Sequence, residues 1–310
     1  MDFSESQVIA ALSEVFTRPD SRVIVGIGDD AAVIATTHRT IVTTDMAVEG
    51  VHFRREWSTP FEIGRKITTA NLADIYSMGA LPDHLVVALS LTGHENLEWI
   101  KELAVGIDQE ARKCEVTVVG GDVVRGAGVT IAVTALGRVG TPVLRSGAQV
   151  GDLVFVSSIP GWSAAGYYLL LEKIDCAVLN HADHAQRALA QFRAPNLDYA
   201  LAREFRTAHA MCDISDGLYE QGGQMASASG VELFIERALV EAQPDFIDLS
   251  NLAQEVGANV WDWVGAGGED HAMLATGKKL PGIRIGEVRK GAGATIEGQA
   301  KKLSGFTHFS

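Results

Sequence analysis

Short apolar runs alternate with amphipathic stretches along almost the whole chain, and this mixture limits the fold before any single residue is considered. Val23-Ile24-Val25, Thr40–Val48, His84–Leu91 and Ala210–Ile214 have strand length and strand composition. Between them, Phe61–Met78 places Ile63, Ile67, Leu72, Ile75 and Met78 at helical spacing, and Asn96–Lys113 does the same with Trp99, Ile100, Leu103 and Ile107. An all-helical bundle and an all-β sandwich are both excluded. The pattern predicts an α/β or α+β protein. Further strands are expected at 31–34, 116–119, 129–136, 152–157, 231–235 and 272–275, and further helices at 4–16, 161–173, 183–206 (broken near Pro195) and 216–229. The segment 120–126 reads as a loop.

Residues 141–151 hold Pro142, Gly147 and Gly151 and few bulky apolar side chains, so they are expected to link two domains, 1–140 and 152–310. The chain has 310 residues and 47% hydrophobic content, enough for two cores. No solenoid period and no low-complexity tract is present.

The formal net charge of -13 argues against general binding of nucleic acid or of an anionic membrane face. It does not exclude phosphate ligands, because bound cations reverse the local sign. Cys114, Cys176 and Cys212 are far apart and match neither a disulfide framework nor a zinc spacing, which points to the cytoplasm. The first residues lack the basic start of a signal peptide, and no apolar run is long enough to cross a bilayer.

The chemistry gathers in five acidic clusters: Gly28-Asp29-Asp30, Thr43-Thr44-Asp45, Asn71 with Asp74, Gly120-Gly121-Asp122 and Asp213-Ile214-Ser215-Asp216-Gly217. Each of these aspartates could simply cap a helix or shape a turn. Taken together, oxygen donors without His/Cys pairing suit a hard cation, Mg²⁺ before Zn²⁺. Other nucleotide and hydrolase signatures are absent: there is no Walker A loop, no third glycine of GxGxxG, no HRDxxxxN, no zincin HExxH and no GxSxG.

The ordered series GIGDDAAV (26–33), TTDMAVEGVHF (43–53), NLADIYSMGA (71–80), GGDVVRG (120–126), RSGAQVGD (145–152), DISDGL (213–218) and GGED (267–270) resembles the thiamine-monophosphate kinase family. That family lies within the superfamily of aminoimidazole ribonucleotide synthetase and selenophosphate synthetase. The resemblance implies a two-domain fold of that superfamily: an N-terminal mixed sheet with helices that forms a homodimer, and a C-terminal α/β domain. It implies Mg²⁺-assisted transfer of a phosphoryl group from ATP to thiamine monophosphate, the last step of thiamine diphosphate biosynthesis. By position, Asp30, Thr43, Thr44, Asp45, Asp74, Asp122, Asp213 and Asp216 would hold several Mg²⁺ ions. Gly121, Asp122, Arg145 and Ser215 would lie at ATP, and His52, Glu269 and Phe306 at thiamine monophosphate. Lys66 and Arg125 fall on basic positions of the motifs and would take a phosphate role, and no residue is expected as a general base. GGED is followed here by His271-Ala272-Met273, where the family pattern has Tyr or Phe and a polar residue. The alternatives are another ATP-dependent synthetase of the superfamily, or a non-catalytic metal-binding homologue. The cysteine segments typical of such synthetases are missing.

Overall fold

The computed structural model describes residues 5–25 and 33–298. The chain divides into two compact units, Met1–Ile75 with Ala80–Gly140, and Tyr76–Gly79 with Thr141–Ser310.

In the first unit the elements are α1 (Glu5–Phe16), β1 (Val23–Val25), β2 (Val33–Ile34), β3 (Arg39–Val48), α2 (Pro60–Ser77), β4 (Leu81–Leu91), α3 (Leu97–Arg112), β5 (Thr117–Arg125) and β6 (Thr130–Val139). The main sheet has the order β3-β6-β4-β5, with β4 and β5 parallel and the other pairs antiparallel. Its helices start where local chemistry tells them to. Thr59 and Glu62 form a reciprocal capping box ahead of α2: the Thr59 amide donates to Glu62 at 2.8 Å, and the Glu62 amide donates to the Thr59 hydroxyl at 3.2 Å. Pro60 occupies the first helical position, where its missing N–H costs nothing. Asn96 caps α3 by accepting from the Trp99 amide at 2.7 Å.

One face of this sheet is buried: Leu85, Val87, Leu89, Ile131, Val133 and Ala135 are almost fully excluded from solvent, as are Ile63, Ile75, Ile100, Leu103 and Ile107 of the helices. The opposite face is open, and Val42, Met46 and Val124 on it are 65%, 56% and 51% exposed.

The second unit contains β7 (Leu153–Val156), α4 (Trp162–Leu171), α5 (Ala182–Arg193), α6 (Tyr199–Glu204), β8 (Ala210–Asp213), α7 (Leu218–Ser229), β9 (Glu232–Ile235), α8 (Arg237–Glu241), α9 (Pro244–Glu255), α10 (Val260–Ala266), β10 (Met273–Gly277), β11 (Ile283–Arg289) and β12 (Gly293–Ile296). Its six-stranded sheet runs β12-β9-β11-β7-β10-β8, antiparallel except for the parallel pair of β12 and β9. Val154, Val156, Leu233, Leu274 and Ile285 from the strands meet Trp162, Leu249, Leu252, Trp261 and Val264 from the helices in one core. Trp261 and Trp263 are core residues, packed on Phe246 and Tyr168 with ring centroids 5.2 and 5.6 Å apart.

The mixture of strands and helices in both units matches the expected α/β class. One local expectation is corrected. Residues 120–125, read as a loop, continue β5, which pairs with β4 from Thr117 to Arg125. The two glycines suggested a turn, but they are ladder positions. Gly121 passes so close to β4 that a Cβ there would lie 1.9 Å from the Val87 carbonyl oxygen.

Candidate active site

Asp29, Asp30 and Phe306 lie outside the described residues. The other candidates fall into groups that can be followed through each unit.

In the first unit, β3 and α2 bring four oxygen-bearing residues together. The Thr43 hydroxyl donates to Asp74 Oδ2 at 2.7 Å, and the Asp45 amide donates to Asn71 Oδ1 at 3.2 Å. Asn71 is itself oriented, its side-chain amide donating to the Ile67 carbonyl at 2.9 Å. Asn71 and Asp74 are three residues apart on one helix face, so a strand and a helix present Thr43, Asp45, Asn71 and Asp74 as one patch.

Strand alternation sends Thr44 to the other side. It pairs with Thr134, whose hydroxyl donates to the Thr44 hydroxyl at 3.1 Å, and Thr44 in turn donates to the Val133 carbonyl at 3.1 Å. Asp122 also parts from Asp45. Asp45, Val133, Val87 and Gly121 form one row across the sheet, and Met46, Ala132, Ala88 and Asp122 form the next. Asp45 and Asp122 therefore belong to opposite edge strands, about 14 Å apart at the usual strand spacing, and to opposite faces. Within one chain they do not converge.

His52 lies in the loop after β3. Its Nδ1 accepts from the Val48 amide at 3.1 Å, and its own amide donates to the Val48 carbonyl at 2.9 Å. Gly50, at φ +85°, makes the turn that allows this. Lys66 is buried on α2, and Arg125 is exposed at the end of β5.

In the second unit, the 213–216 segment runs beside 269–272. The Glu269 amide donates to the Ser215 carbonyl at 2.7 Å, the His271 amide to Ile214 at 3.0 Å, and the Ile214 amide to Ala272 at 2.8 Å. This extends the pairing of β8 with β10 and brings Asp213, Ser215, Asp216 and Glu269 into one neighbourhood. Buried Asp213 meets His271 Nδ1 at 3.0 Å. Gln221, in the first turn of α7, donates to the Ser215 hydroxyl at 3.0 Å and to Asp216 at 3.2 Å. One turn later, Gln224 accepts from the Arg145 guanidinium. The Arg145 carbonyl accepts from the Ser229 hydroxyl at 2.8 Å, so both ends of that arginine are tied to α7.

Glu269 and His271 hold left-handed backbone, at φ +68° and +55°, on either side of Asp270. Such strain persists only where its surroundings impose it. Asp270 is the anchor: it is buried, and it accepts from the Gly161 amide at 2.6 Å and the Ser163 amide at 3.0 Å at the start of α4. Burial pushes its pKa up to about 6 against those two donors. His271, Gln221 and Gln224 are participants that lie outside the motifs, whereas Asp270 is the last residue of GGED. The only advance signal is the departure at His271.

The donor set fits a hard cation in chemistry. Thr43, Asp45 and Asp74 offer oxygen throughout, as do Ser215 and Asp216, while buried Asn71 holds the Asp45 backbone in place. Among the described residues no group of three His, Cys, Asp or Glu side chains converges on a single point. Oxygen donors of this kind suit Mg²⁺, which keeps water ligands and takes one or two carboxylates together with substrate phosphates.

Residues 28–139 match the family described as AIR synthase related protein, N-terminal domain. The thiamine-monophosphate kinase of Corynebacterium glutamicum is 37% identical over 291 residues, covering 90% of this chain and 86% of that protein. The enzyme of the same name from Mycobacterium tuberculosis is 38% identical over 261 residues, covering 83% of this chain and 76% of its own. Among solved structures, AaThiL complexed with AMPPCP and TMP superposes with a TM-score of 0.81 at 29% identity, covering 91% of this chain and 92% of that one. Thiamine-monophosphate kinase from Stenotrophomonas maltophilia gives 0.80 at 28% identity, covering 97% and 98%. The hydrogenase maturation protein HypE, at 17% identity and a TM-score of 0.68 over 93% of this chain and 88% of its own, shares the fold alone.

Proposed function

The chain belongs to the thiamine-monophosphate kinase family, and from that premise we infer that it transfers the terminal phosphoryl group of ATP to thiamine monophosphate. The products are thiamine diphosphate and ADP. A thiamine-phosphate oxygen forms the new bond to the γ-phosphorus as the bond from that phosphorus to the β,γ-bridging oxygen breaks. The acceptor is a phosphate monoester whose second pKa is about 6, so its oxygen is already ionised at neutral pH. No side chain has to remove a proton. The obstacle is bringing two polyanions together in line.

Thr43, Thr44, Asp45, Asp74 and Asp122 of the first unit, and Asp213 and Asp216 of the second, would hold Mg²⁺, with Asp30 as a further candidate. When bound, Mg²⁺ neutralises phosphate charge and orients donor and acceptor. The chain's own residues bind and orient. Gly121 and Asp122 of β5 would lie at the nucleotide. Arg145 and Ser215 would hold nucleotide phosphates, with Gln224 and Gln221 preparing them. His52 and Glu269 would hold the thiamine substrate, with Phe306 as a third candidate. Lys66 and Arg125 would stabilise phosphate charge.

The observation within the molecule that carries this reading is the patch of Thr43, Asp45 and Asp74 oxygens, held with buried Asn71 by hydrogen bonds between β3 and α2. An ADP-release assay with ATP and Mg²⁺ tests it, comparing thiamine monophosphate with free thiamine. Turnover of the monophosphate alone is expected. Phosphorylation of thiamine but not of its monophosphate would overturn the reading.

We also assign a homodimer and a cytoplasmic location. The dimer is supported by the open apolar face of the first unit's sheet, which also bears Asp122. A second copy covering that face would supply neighbours for a residue that its own chain leaves apart from Asp45. The compartment is supported by the cysteines: none forms a disulfide, and burial pushes the Cys212 thiol up to about 12, so it stays protonated and inert. Among the described residues no helix is long and apolar enough to cross a membrane.

A further inference from the structure

The loop that carries His52 is short of regular structure, yet it is held from several sides through one side chain. Arg55 Nε lies 2.7 Å from Glu49 Oε1, and its Nη2 donates to Glu49 Oε2 at 3.1 Å and to Glu95 Oε1 at 2.5 Å. Its guanidinium also lies 5.0 Å from the centre of the Trp99 ring, in the first turn of α3. Glu49 opens the loop and bridges to Phe53, while the Gly50 amide donates to the Phe53 carbonyl at 2.8 Å. Glu95 belongs to a different part of the chain, the connection between β4 and α3, and its carboxylate is fully excluded from solvent. There it accepts from the Thr92 hydroxyl at 2.8 Å and the Gly93 amide at 3.0 Å. Burial favours the protonated form of Glu95, but these donors and Arg55 outweigh it and hold its pKa at about 2. A fork-shaped cation is needed here, because a lysine ammonium could not span two separated carboxylates and lie against an indole at once.

We propose that Arg55 is a positioning residue for thiamine monophosphate: by clasping Glu49 to the buried Glu95, it closes the loop and holds the His52 imidazole in the orientation in which Nδ1 accepts from the Val48 amide. The proposal rests on the reading of His52 as a substrate contact. It goes further by giving that contact a support built from Arg55, Glu95 and Trp99 outside the motif, acting on Glu49 within it. The Val48 bond also fixes the tautomer, since an Nδ1 that accepts places the proton of the neutral ring on Nε2.

The test compares Arg55→Met/Glu95→Gln, which removes both charges and leaves no buried carboxylate unpaired, with His52→Ala and with the combination. A KM for thiamine monophosphate raised roughly tenfold, with the KM for ATP unchanged, is expected for the Arg55→Met/Glu95→Gln enzyme. In the His52→Ala background the same change should add no further rise, because the clasp acts through that ring. Equal rises in both KM values, or full additivity with His52→Ala, would overturn the positioning role and leave the reading of His52 standing. An unchanged KM for thiamine monophosphate in His52→Ala would overturn that reading, and the positioning role with it. Should the Arg55→Met/Glu95→Gln variant fail to fold, Glu49→Gln opens the exposed half of the clasp and is judged by the same two KM values.

Discussion

Asp270 shows how much a single carboxylate can hold in place. It caps α4 from inside the core while its neighbours Glu269 and His271 take left-handed backbone. With its pKa raised to about 6 by burial, the folded chain holds a proton there that the unfolded chain has already lost above pH 4. The stability it contributes is therefore fully present below about pH 4 and is lost as pH rises through 6. Asp270→Asn cannot titrate. Urea unfolding at a series of pH values should show the difference between wild type and variant shrinking by on the order of 2–3 kcal/mol from pH 4 to pH 7. A constant difference would mean that Asp270 is not the titrating group. Asp74 makes a different prediction. Asp74→Asn keeps the shape and an acceptor for Thr43 but removes the charge offered to a cation. The expectation is a fall in kcat of about 10²-fold or more, with a higher Mg²⁺ requirement and little change in Tm. A loss of Tm matching the loss of activity would make Asp74 structural. At this scale the motifs made the acidic residues legible but not their partners. His271 meets Asp213 across 58 positions of chain, and Gln221 reaches back to Asp216 only because α7 turns it inward. The first approach depends on β8 and β10 being paired, whereas the second spans five residues and needs only the first turn of α7.

At the scale of elements, periodicity located most of the helices and central strands because burial on one face imposes it. It does not find α8, α9 or α10, and at β5 and β11 backbone proximity hides the strand. Gly120-Gly121 has turn composition, but the pair continues β5 alongside β4, and Gly121 is required by the Val87 carbonyl beside it. Strand β11 lacks a strand signal for a related reason. Charges at Arg284, Glu287 and Arg289 break the apolar run, and Gly286, which reads as a breaker, gives room to the Phe234 carbonyl, 2.0 Å from where a Cβ would be. Such glycines report an approach by another strand, which no window of sequence contains. Gly121→Ala must therefore shift β5 away from β4. A cost of about 2–4 kcal/mol follows, read as a Tm lower by roughly 5–10 °C in a thermal melt. An unchanged Tm would show that β5 is free to move at this point.

The whole molecule leaves one question to quaternary structure. The first unit buries one face of its sheet and exposes Val42, Met46 and Val124 on the other. Apolar side chains on an open sheet face are a surface in need of a partner. The rows of the sheet add a functional reason, since Asp122 projects from that face while Thr43 and Asp45 meet Asp74 and Asn71 on the covered one. In a two-fold dimer the same patch meets itself, so each substitution enters the interface twice. Met46→Asp/Val124→Asp would place four carboxylates in one buried contact, where unpaired charges cost several kcal/mol each. The two positions are 56% and 51% exposed in the single chain, so the fold of the unit should survive and circular dichroism should not change. Light scattering is expected to report a dimer for the wild type and a monomer for the variant. Activity should fall with the dimer, because Asp122 would lose the neighbours that a second copy supplies. A monomeric, fully active wild type would show that the open face serves some other end, and a monomeric but fully active variant would show that each chain assembles its site alone.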